Sequence, residues 1–479
     1  MDNAAVTDRA IEVITCSADC LNEEIARACL HGGRLEMVYG RPLNKDQHEL
    51  RYLINRQSEN RFVFIQTEVR DQAPSLAVQY PLLGWYEREL SDLYGICFQG
   101  HPEPQPLIRS SSSADSDLVI EGQDVQRLPW GPVRADVVES AEFTFYYAGE
   151  AIIHYRPRLF FKHRGVERRF EGMDIRAGAV LAERVSGIGS FAHALAFSEA
   201  CETAASCAVP VRARQLRSLL AELERIYNHL AYFGYLADTT TLKVGQAEGK
   251  LLAERAKHIN GRLTGSRFLR GVATPGGLRR DLEPQAWFEL ALDTLRSETD
   301  WYVRQLMATN SFRDRLISTG ILETQVAFDQ GATGPVGRAS GLDRELRRDH
   351  PYAGYADLSM AVPVRETGDA DARFQVRVAE LFISFDLVKS LYRALEDGPV
   401  LVPCNLPSGG EGLGWAESPR GSLLYAIHAD DAGRLKRVKI KSPSFSNWRV
   451  FPFTVEDSNM MDYAINEASF GLSIAGCDR

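Results

Sequence analysis

A run of eight small, mostly polar residues, 110–117, divides the chain into two parts with different patterns. Such a run holds too little apolar surface to order itself by burial, so it predicts a linker. Short β-type runs precede it, whereas long helical patterns follow it. We therefore predict a first domain over residues 1–109, a Ser-rich linker over 110–117 and a second domain over 118–479.

The first part is predicted to be a small unit of helices and strands. A helical pattern covers residues 21–30, and turn residues separate the runs that follow it. Strands in immediate succession favour an antiparallel sheet packed on helices. The predicted strands, rich in β-branched and aromatic residues, cover 34–39, 49–54 and 61–67.

The second part is predicted to be mainly helical, with β-hairpins at its periphery. Leucine, isoleucine and aromatic residues recur at three- and four-residue spacing over 212–236, which indicates one buried helical stripe. The fold class predicted for the whole chain is α+β. Further helical patterns cover 177–206, 245–265, 285–309 and 374–397, and hairpins join 143–147 to 151–155 and 422–428 to 435–441.

Charge and hydropathy exclude several classes of protein. The net charge of -9 and pI near 5.7 argue against a nucleic-acid partner. No apolar run reaches the roughly 18 to 20 residues that cross a bilayer, and the N-terminus lacks the pattern of an export signal. We expect a cytoplasmic chain that reaches a membrane only through partner subunits.

The eight cysteines are dispersed along the chain, so a disulfide framework is not expected. Cys16, Cys20, Cys29 and His31 lie close enough in sequence to raise the question of a zinc site. Their spacings of four and nine differ from paired C-x2-C knuckles, which favours small buried thiols.

Several segments together resemble one family. WYERELSDLYGI (85–96), followed by GHP (100–102), is similar to the 30-kDa subunit of respiratory complex I and its hydrogenase relatives. Other segments resemble the 49-kDa subunit, which is homologous to the large subunit of energy-converting [NiFe] hydrogenases. The order and spacing run through nearly the whole chain, as in a fused 30/49-kDa-type polypeptide of the formate-hydrogenlyase kind. These segments are HRGVE (163–167), ELERIYNHL (222–230), TPGGLRRDL (274–282), GATGPVGRASG (331–341), ESPRGSLLY (417–425) and PSFSNW (443–448).

The resemblance implies where nickel and iron would lie, because the family's hydrogenases carry two C-x-x-C pairs there. The first pair falls at Ser186 and Gly189, and the second at Ser473 and Gly476, with Cys477 one position out. Soft thiolates are needed to bridge the two metals, and a hydroxyl or a glycine cannot replace them. We therefore expect no [NiFe] centre and no cofactor bound by this chain, with the four positions lining a cleft.

The resemblance also implies that complex I binds a quinone in the same cleft. A histidine on the first hairpin and a tyrosine after the HRG segment bind its headgroup. Alignment of 131–136 puts Arg134 at the histidine, and counting on from His163 puts Ile175 near the tyrosine. Neither side chain delivers a proton well, so the proton chemistry is expected to be different or absent.

Other family positions are retained. Arg164 and His229 are similar to residues that lie against the [4Fe-4S] cluster of an adjacent small subunit and tune its potential. Glu167 matches a proton-transfer glutamate of hydrogenases, and Arg420 matches the arginine over their metal site. A pocket that keeps these charges can bind an anion, a water chain or a polar headgroup. Alternatively, Arg134, Glu167 and Arg420 form a buried ion network that only replaces the lost metal bonds.

The remaining candidates also have structural interpretations. His193 lies on an Ala-rich helix and can be a hydrogen-bonded core histidine instead of a proton carrier. His163 and Arg164 can form a basic turn on a solvated face. Ser186 and Gly189 can be packing and helix-entry residues, with the serine as the cap.

The function implied by the resemblance is that of a large electron-transfer subunit in a membrane-attached, ion-pumping oxidoreductase complex on the cytoplasmic face. A small partner subunit would supply a [4Fe-4S] cluster, and a quinone or similar acceptor would take the electrons. A ferredoxin-like Fe-S subunit and antiporter-type membrane subunits are the other expected partners. The candidate catalytic residues are Arg134, Glu167, His193 and Arg420. A non-catalytic scaffold or coupling subunit is the alternative, and an atypical hydrogenase is the third possibility.

Overall fold

The computed structural model describes residues 11–44, 46–108, 120, 124–134, 139–283 and 285–479. Helices and strands are mixed along the chain, and the predicted α+β class is confirmed. The predicted linker at 110–117 lies outside the described residues, and the domain boundaries stay a prediction. In the part that the structure describes, no helix is long and apolar enough to cross a membrane.

The first part of the chain forms a sheet in the order β1-β4-β3-β2, with α1 against it. The predicted strands are confirmed and pair antiparallel, but the sequence did not predict β1, which pairs parallel with β4. The elements are β1 (Glu12–Thr15), α1 (Leu21–Cys29), β2 (Arg34–Pro42), β3 (His48–Arg56), β4 (Arg61–Val69), β5 (Gln72–Pro74), α2 (Gly84–Tyr94) and β6 (Cys97–Gln99).

In the described residues, the second part packs helices around two three-stranded antiparallel sheets, β7-β8-β9 and β12-β13-β14, and it also contains the two-stranded sheet β10-β11. Its strands are β7 (Gln126–Trp130), β8 (Glu142–Ala148), β9 (Ala151–Arg158), β10 (Ala273–Thr274), β11 (Gly277–Leu278), β12 (Glu411–Ser418), β13 (Gly421–Ala429) and β14 (Leu435–Lys441). The first helices are α3 (Val166–Arg169), α4 (Ile175–Ala182), α5 (Ser190–Ala204), α6 (Val211–Thr239), α7 (Lys243–Thr264) and α8 (Ala286–Ala308). They are followed by α9 (Asn310–Leu316), α10 (Thr324–Asp329), α11 (Gly334–Ala339), α12 (Leu346–Asp349), α13 (Ala370–Arg393), α14 (Pro443–Val450), α15 (Tyr463–Phe470) and α16 (Ile474–Asp478).

The single helix predicted over 177–206 is wrong, because the chain breaks between α4 and α5. Glycine and serine have low helix propensity, and the break contains Ser186, Gly187 and Gly189. A short 3-10 turn over Gly187–Gly189 fills the gap. The break turns the backbone so that α5 starts beside the C-terminal segment instead of continuing along α4.

Glycine in β12 lets α5 lie directly on the sheet. A Cβ added at Gly414 would lie 2.2 Å from the carbonyl oxygen of Ala196 in α5, closer than any real side chain permits. The strand was not predicted, because its small residues hide the apolar alternation. This close contact fixes the helix that carries His193 against the strand that leads to Arg420.

Buried apolar side chains of both parts form one continuous core, which includes Leu35 and Tyr39 from the first part and Leu424 and Tyr425 from the second. Buried charges also cross the junction. Lys441 in β14 pairs with Glu36 in β2, and both are at most 5% exposed. Burial alone would raise the pKa of Glu36, but the charges of Lys441 and Arg34 lower it to about 2.

We predict that Lys441→Met destabilises the chain through this junction. Glu36 would keep Arg34, 3.3 Å away, but would lose its strongest partner inside the core. Breaking a buried pair on one side costs about 3 kcal/mol or more. Urea unfolding of the purified chain should show that loss. Lys389→Met, which removes a half-exposed pair with Asp293, serves as the control and should cost less than about 1 kcal/mol. Equal small losses in both variants would contradict the prediction.

Candidate functional site

The structure brings together the four positions predicted to have lost metal ligands. Ser186 lies in the turn before α5, and its Oγ is 3.5 Å from the Oγ of Ser473, just before α16. A Cβ added at Gly476 would lie 3.4 Å from Ser473 Oγ and 3.5 Å from Ser186 Oγ. Gly189 completes the turn, and a Cβ there would lie 3.7 Å from the ring of His193. The two segments therefore meet although Ser186 and Ser473 are 287 positions apart in the sequence.

The expected capping role of Ser186 is wrong. Its side chain accepts no capping hydrogen bond, and its Oγ faces Ser473 in the C-terminal segment instead. Ser473 does cap its helix, since its Oγ accepts the N–H of Gly476 at 3.0 Å. Ser473 therefore stabilises the start of its helix, whereas Ser186 faces the space between the two segments.

Arg164 joins the two segments. Its guanidinium donates to the carbonyl oxygens of Arg184 at 3.0 Å and Val185 at 2.7 Å, which the helix break leaves free. The same group donates to the carbonyl of Ala475 at 3.0 Å. The retained HRGVE segment therefore ties the turn and the tail together, and contact of Arg164 with a partner's cluster stays a prediction.

A small hollow lies between these segments. Its volume is about 10 Å³, on the order of the space that one water molecule needs. Four of the six polar side chains that line it are serines, and no cysteine is among the described residues that line it. This donor set does not fit a [NiFe] centre. The hollow is lined by Ser186, Ile188, Gly189, His193, Ser418, Pro419, Arg420, Ser442, Pro443, Ser444 and Gly476.

Arg420 brings a positive charge to this hollow. Its guanidinium donates to the carbonyl oxygen of Gly471, at the end of α15. Burial, reinforced by Arg377, lowers the pKa of Arg420 to about 10, so the side chain stays protonated at neutral pH. The hollow therefore combines hydroxyls with one fixed cation, as a site for a carbonyl oxygen or an anion would.

His193 also lines the hollow but is not charged. Its Nδ1 lies 2.8 Å from the hydroxyl of Tyr425 in β13, and the ring is 3% exposed. Burial and the nearby charge of Arg164 lower its pKa to about 3. At neutral pH the ring is a neutral hydrogen-bonding group and not a ready proton donor.

Glu167 does not line the hollow, and the proton-transfer role that the resemblance implies for it stays a prediction. Its carboxylate lies 3.0 Å from Arg437 and 3.2 Å from Lys439, and it accepts the N–H of Ile440 at 3.1 Å. Burial would raise its pKa, but Lys439, Arg437 and Arg479 lower it to about 2. The group is held as an ionised carboxylate that fastens α3 to β14.

Arg134 is likewise engaged elsewhere. It pairs with Glu467 at 3.1 Å, and its guanidinium lies 4.0 Å from the ring centroid of Trp130. It does not line the hollow, and neither does Ile175 at the start of α4. The alternative in which Arg134, Glu167 and Arg420 share one ion network is also wrong, because each has different partners.

His229 lies inside the chain, not at its surface. The residue is 1% exposed, and its Nε2 lies 2.9 Å from Glu380 in α13. Burial lowers its pKa to about 4, although Glu380 opposes that shift. Direct contact of this ring with a partner's cluster stays a prediction, and here the imidazole belongs to a buried ion network.

Sequence reasoning missed that network. It is built from buried carboxylates and guanidinium groups on α6, α11, α12, α13 and β12, and four of its members lie in the family-like segments quoted above. The sequence signal that could have revealed the network was the presence of charged residues within these otherwise apolar segments. The members are Glu222, Arg225, Arg338, Glu345, Arg347, Glu380 and Glu417.

Family models match most of the chain in sequence order. Residues 15–118 match the respiratory-chain NADH dehydrogenase 30 Kd subunit. Residues 164–250 match the nickel-dependent hydrogenase model. Residues 252–408 and 403–479 match the respiratory-chain NADH dehydrogenase 49 Kd subunit.

Curated proteins match over nearly the full length. Formate hydrogenlyase subunit 5 of Escherichia coli is 28% identical over 469 residues, covering 90% of this chain and 82% of that protein. The C/D subunit of NADH-quinone oxidoreductase from Cereibacter sphaeroides is 26% identical over 476 residues, covering 85% of this chain and 82% of that protein.

A solved structure shares the fold. It is a chain of the membrane-bound sulfane sulfur reductase, an archaeal respiratory membrane complex, with a TM-score of 0.70 and 24% identity. The match covers 74% of this chain and 99% of that chain. These matches and the two meeting segments agree with the resemblance seen in the sequence. In sequence order, the chain carries segments that match the 30-kDa and 49-kDa subunits of respiratory complex I and the nickel-dependent hydrogenases, as a fused 30/49-kDa-type subunit does, and it has no cysteine at the four positions of the hydrogenase C-x-x-C pairs.

Proposed function

We propose that this chain is the large electron-transfer subunit of a membrane-attached oxidoreductase complex. Electrons pass from a [4Fe-4S] cluster in a small partner subunit to a quinone or similar acceptor at the mouth of the hollow. The observation that carries the proposal is the meeting of the 184–189 turn, the C-terminal segment and Arg420 around a polar hollow without thiolates.

The charges around the turn support the docking of such a partner. A thiolate-bound iron–sulfur cluster is anionic, and nearby cations raise its potential. Arg164 is half-buried beside the turn, Arg184 has a side chain 57% exposed, and Arg270 donates to Ser190 Oγ at 3.2 Å. The cluster would therefore face a basic rim of this chain.

The groups in the hollow set what the acceptor site can do. Arg420 can bind a headgroup oxygen through a charge-assisted hydrogen bond. His193 is neutral and Glu167 is committed elsewhere, so neither supplies protons at neutral pH. Protons for a reduced acceptor would come through water ordered by the serine hydroxyls. This differs from a site in which a charged histidine delivers them.

We predict that Arg420→Met slows electron transfer out of the partner's cluster. Loss of a charged hydrogen-bond donor costs about 1.5–3 kcal/mol, which is about tenfold or more in rate. The measurement is reoxidation of the reduced cluster by added quinone in the purified complex, followed by electron paramagnetic resonance. Arg420→Lys, which keeps the charge, should recover most of the rate.

Arg449→Met is the matched control for that experiment. Arg449 is also buried and donates to main-chain carbonyls, of Leu82 and Gln330, and its pKa is also lowered to about 10. It does not line the hollow. Equal rates in the Arg420 and Arg449 variants, or reoxidation that is indifferent to quinone, would remove the proposal.

A scaffold or conformational coupling subunit is the second candidate. It is favoured by the partners that Arg134, Glu167 and His229 find within this chain. Such a subunit would transmit movement between the partner's cluster and membrane-arm subunits of antiporter type, and it would lack its own acceptor. Full activity of Arg420→Met together with lost ion pumping would favour it.

Both candidates place the chain on the cytoplasmic face of the cell membrane, held by membrane subunits. A ferredoxin-like Fe-S subunit would deliver the electrons. An atypical hydrogenase, the third possibility, requires a metal site that hydroxyls and glycines do not offer. Stoichiometric nickel in the purified complex would revive it.

A further inference from the structure

A fully buried ion network lies directly behind the hollow. Within the described residues, ion pairs join four carboxylates to three guanidinium groups, and every one of these residues is at most 3% exposed. His229 contacts the network and is neutral at pH 7. With all four carboxylates ionised, the ion-paired set carries one uncompensated negative charge. Burying an uncompensated charge is costly, so the network favours uptake of one proton.

Three of the carboxylates are well compensated. Glu222 lies 2.9 Å from Arg347 and accepts the hydroxyl of Ser384 at 2.6 Å. Glu345 lies 2.9 Å from Arg347 and 3.0 Å from Arg338. Glu380 pairs with Arg338, and His229 lies 2.9 Å from its other oxygen. Each of these groups therefore has two or more partners that favour its charged form.

Glu417 is the least compensated member. One carboxylate oxygen lies 3.2 Å from Arg338 Nη1, the same nitrogen that Glu345 approaches to 3.0 Å. Among the residues that the structure describes, its other oxygen receives only the long N–H contact from Leu346, at 3.4 Å. Two carboxylates thus meet at one guanidinium nitrogen. Burial and the charge of Glu345 raise the pKa of Glu417 to about 7, against the opposing charges of Arg338, Arg225 and Arg347.

The other charged or titratable groups near Glu417 have partners of their own. Lys441 in β14 pairs with Glu36, and the hydroxyl of Tyr352 accepts the N–H of Glu417 at 2.8 Å. Arg377, which precedes Glu380 in α13, donates to the main-chain carbonyls of Ser469 and Phe470. None of these contacts offers the Glu417 carboxylate a second cation within ion-pair distance.

Glu417 also adjoins the hollow in sequence and space. It precedes Ser418 in β12, and Ser418 and Arg420 both line the hollow. Arg225 donates to the carbonyl oxygens of Glu417 at 2.7 Å and Ser418 at 3.3 Å, which ties the network to this strand end. A change of charge on Glu417 would therefore act on the backbone that carries Arg420.

We propose that Glu417 is a proton-storage site behind the hollow, where one proton binds to a carboxylate oxygen and is held against Glu345. Uptake adds one proton from water and leaves the ion-paired set electrically balanced. Release restores the carboxylate, which Arg338 then holds. The proposal goes beyond the proposed function, because the site exists whether or not an acceptor is reduced in the hollow.

Infrared spectroscopy of the purified full-length chain tests the proposal. Difference spectra across a pH titration report protonated carboxyl groups by their C=O stretching band. Glu417→Gln keeps the shape of the side chain and should remove one component that titrates near pH 7 in the wild type. Glu345→Gln removes the neighbouring negative charge and should move that component to lower pH by about one unit.

Glu224→Gln is the matched control. Glu224 is buried in α6 with a pKa also raised to about 7 by burial, but it accepts the N–H groups of Phe191 and Ala192 and has no ion pair in the described residues. Its variant should remove a different component and leave that of Glu417 in place. Superimposable titrations of wild type and Glu417→Gln would overturn the proposal. If Glu417→Gln does not fold, an unchanged midpoint in Glu345→Gln would overturn it instead.

Discussion

Replacing Arg338 by methionine should prevent the chain from folding stably. Its guanidinium pairs with Glu345 at 3.0 Å, with Glu417 at 3.2 Å and with Glu380, and the arginine is 0% exposed. Arg338→Met would leave three carboxylates in the core without this partner. Removing one side of a buried pair costs about 3–5 kcal/mol, and here three pairs are broken together. We expect little soluble protein, or a loss of at least about 5 kcal/mol in the free energy of unfolding.

Soluble yield and thermal unfolding measure this effect. Arg338→Lys keeps the charge but loses the planar fork that reaches several carboxylates, so its stability should lie between those of the wild type and Arg338→Met. Arg304→Met removes an exposed pair with Asp300 on α8 and should change stability by less than about 0.5 kcal/mol. A melting temperature of Arg338→Met equal to that of Arg304→Met would contradict the role assigned to the network.

Four cysteines placed at the former ligand positions should create a metal site. The variant combines Ser186→Cys and Gly189→Cys in the turn with Ser473→Cys and Gly476→Cys in the tail. Added Cβ atoms at the two glycines meet neighbours at 3.4 to 3.7 Å, and neither glycine has the positive φ that side chains avoid. Four thiolates in this space can surround one ion at about 2.3 Å. We expect the variant to retain one Zn²⁺ or Ni²⁺ through dialysis.

Elemental analysis and the thiolate-to-nickel absorption of the loaded protein check this expectation. The double variant Ser186→Cys with Ser473→Cys offers only two of the four ligands and should lose the metal on dialysis. The hollow is about 10 Å³, so the larger sulfur atoms will also push the turn and the tail apart. Loss of metal from the quadruple variant under the conditions that strip the double variant would show that the four positions do not converge as described.

The long helices could be predicted from the sequence because apolar residues recur in them at three- and four-residue spacing. The patterns at 212–236 and 374–397 became Val211–Thr239 and Ala370–Arg393. The strand at Glu411–Ser418 could not be predicted, since two glycines occupy positions where a helix touches the sheet. The parallel strand Glu12–Thr15 was missed because its partner lies 51 residues away in sequence.

The candidate site was predictable only in part. The family-like segments located Ser186, Gly189, Ser473 and Gly476, and the structure brings these positions together. The partners of the charged residues were not accessible to sequence reasoning, because ion pairs are long-range contacts without a local pattern. Glu167, for example, finds Arg437 and Lys439 on a strand 270 or more residues further along the chain.

The buried charges between the first and second parts of the chain favour one relative position of the two parts. Glu89 lies 2.6 Å from both Lys439 and Arg479, and Glu36 meets Lys441. Apolar surfaces tolerate sliding, but a shift of one residue along β14 would move Lys439 and Lys441 away from Glu89 and Glu36. These buried ion pairs therefore permit a single relative position of the two parts. They would align the two parts even if the parts were made as separate polypeptides.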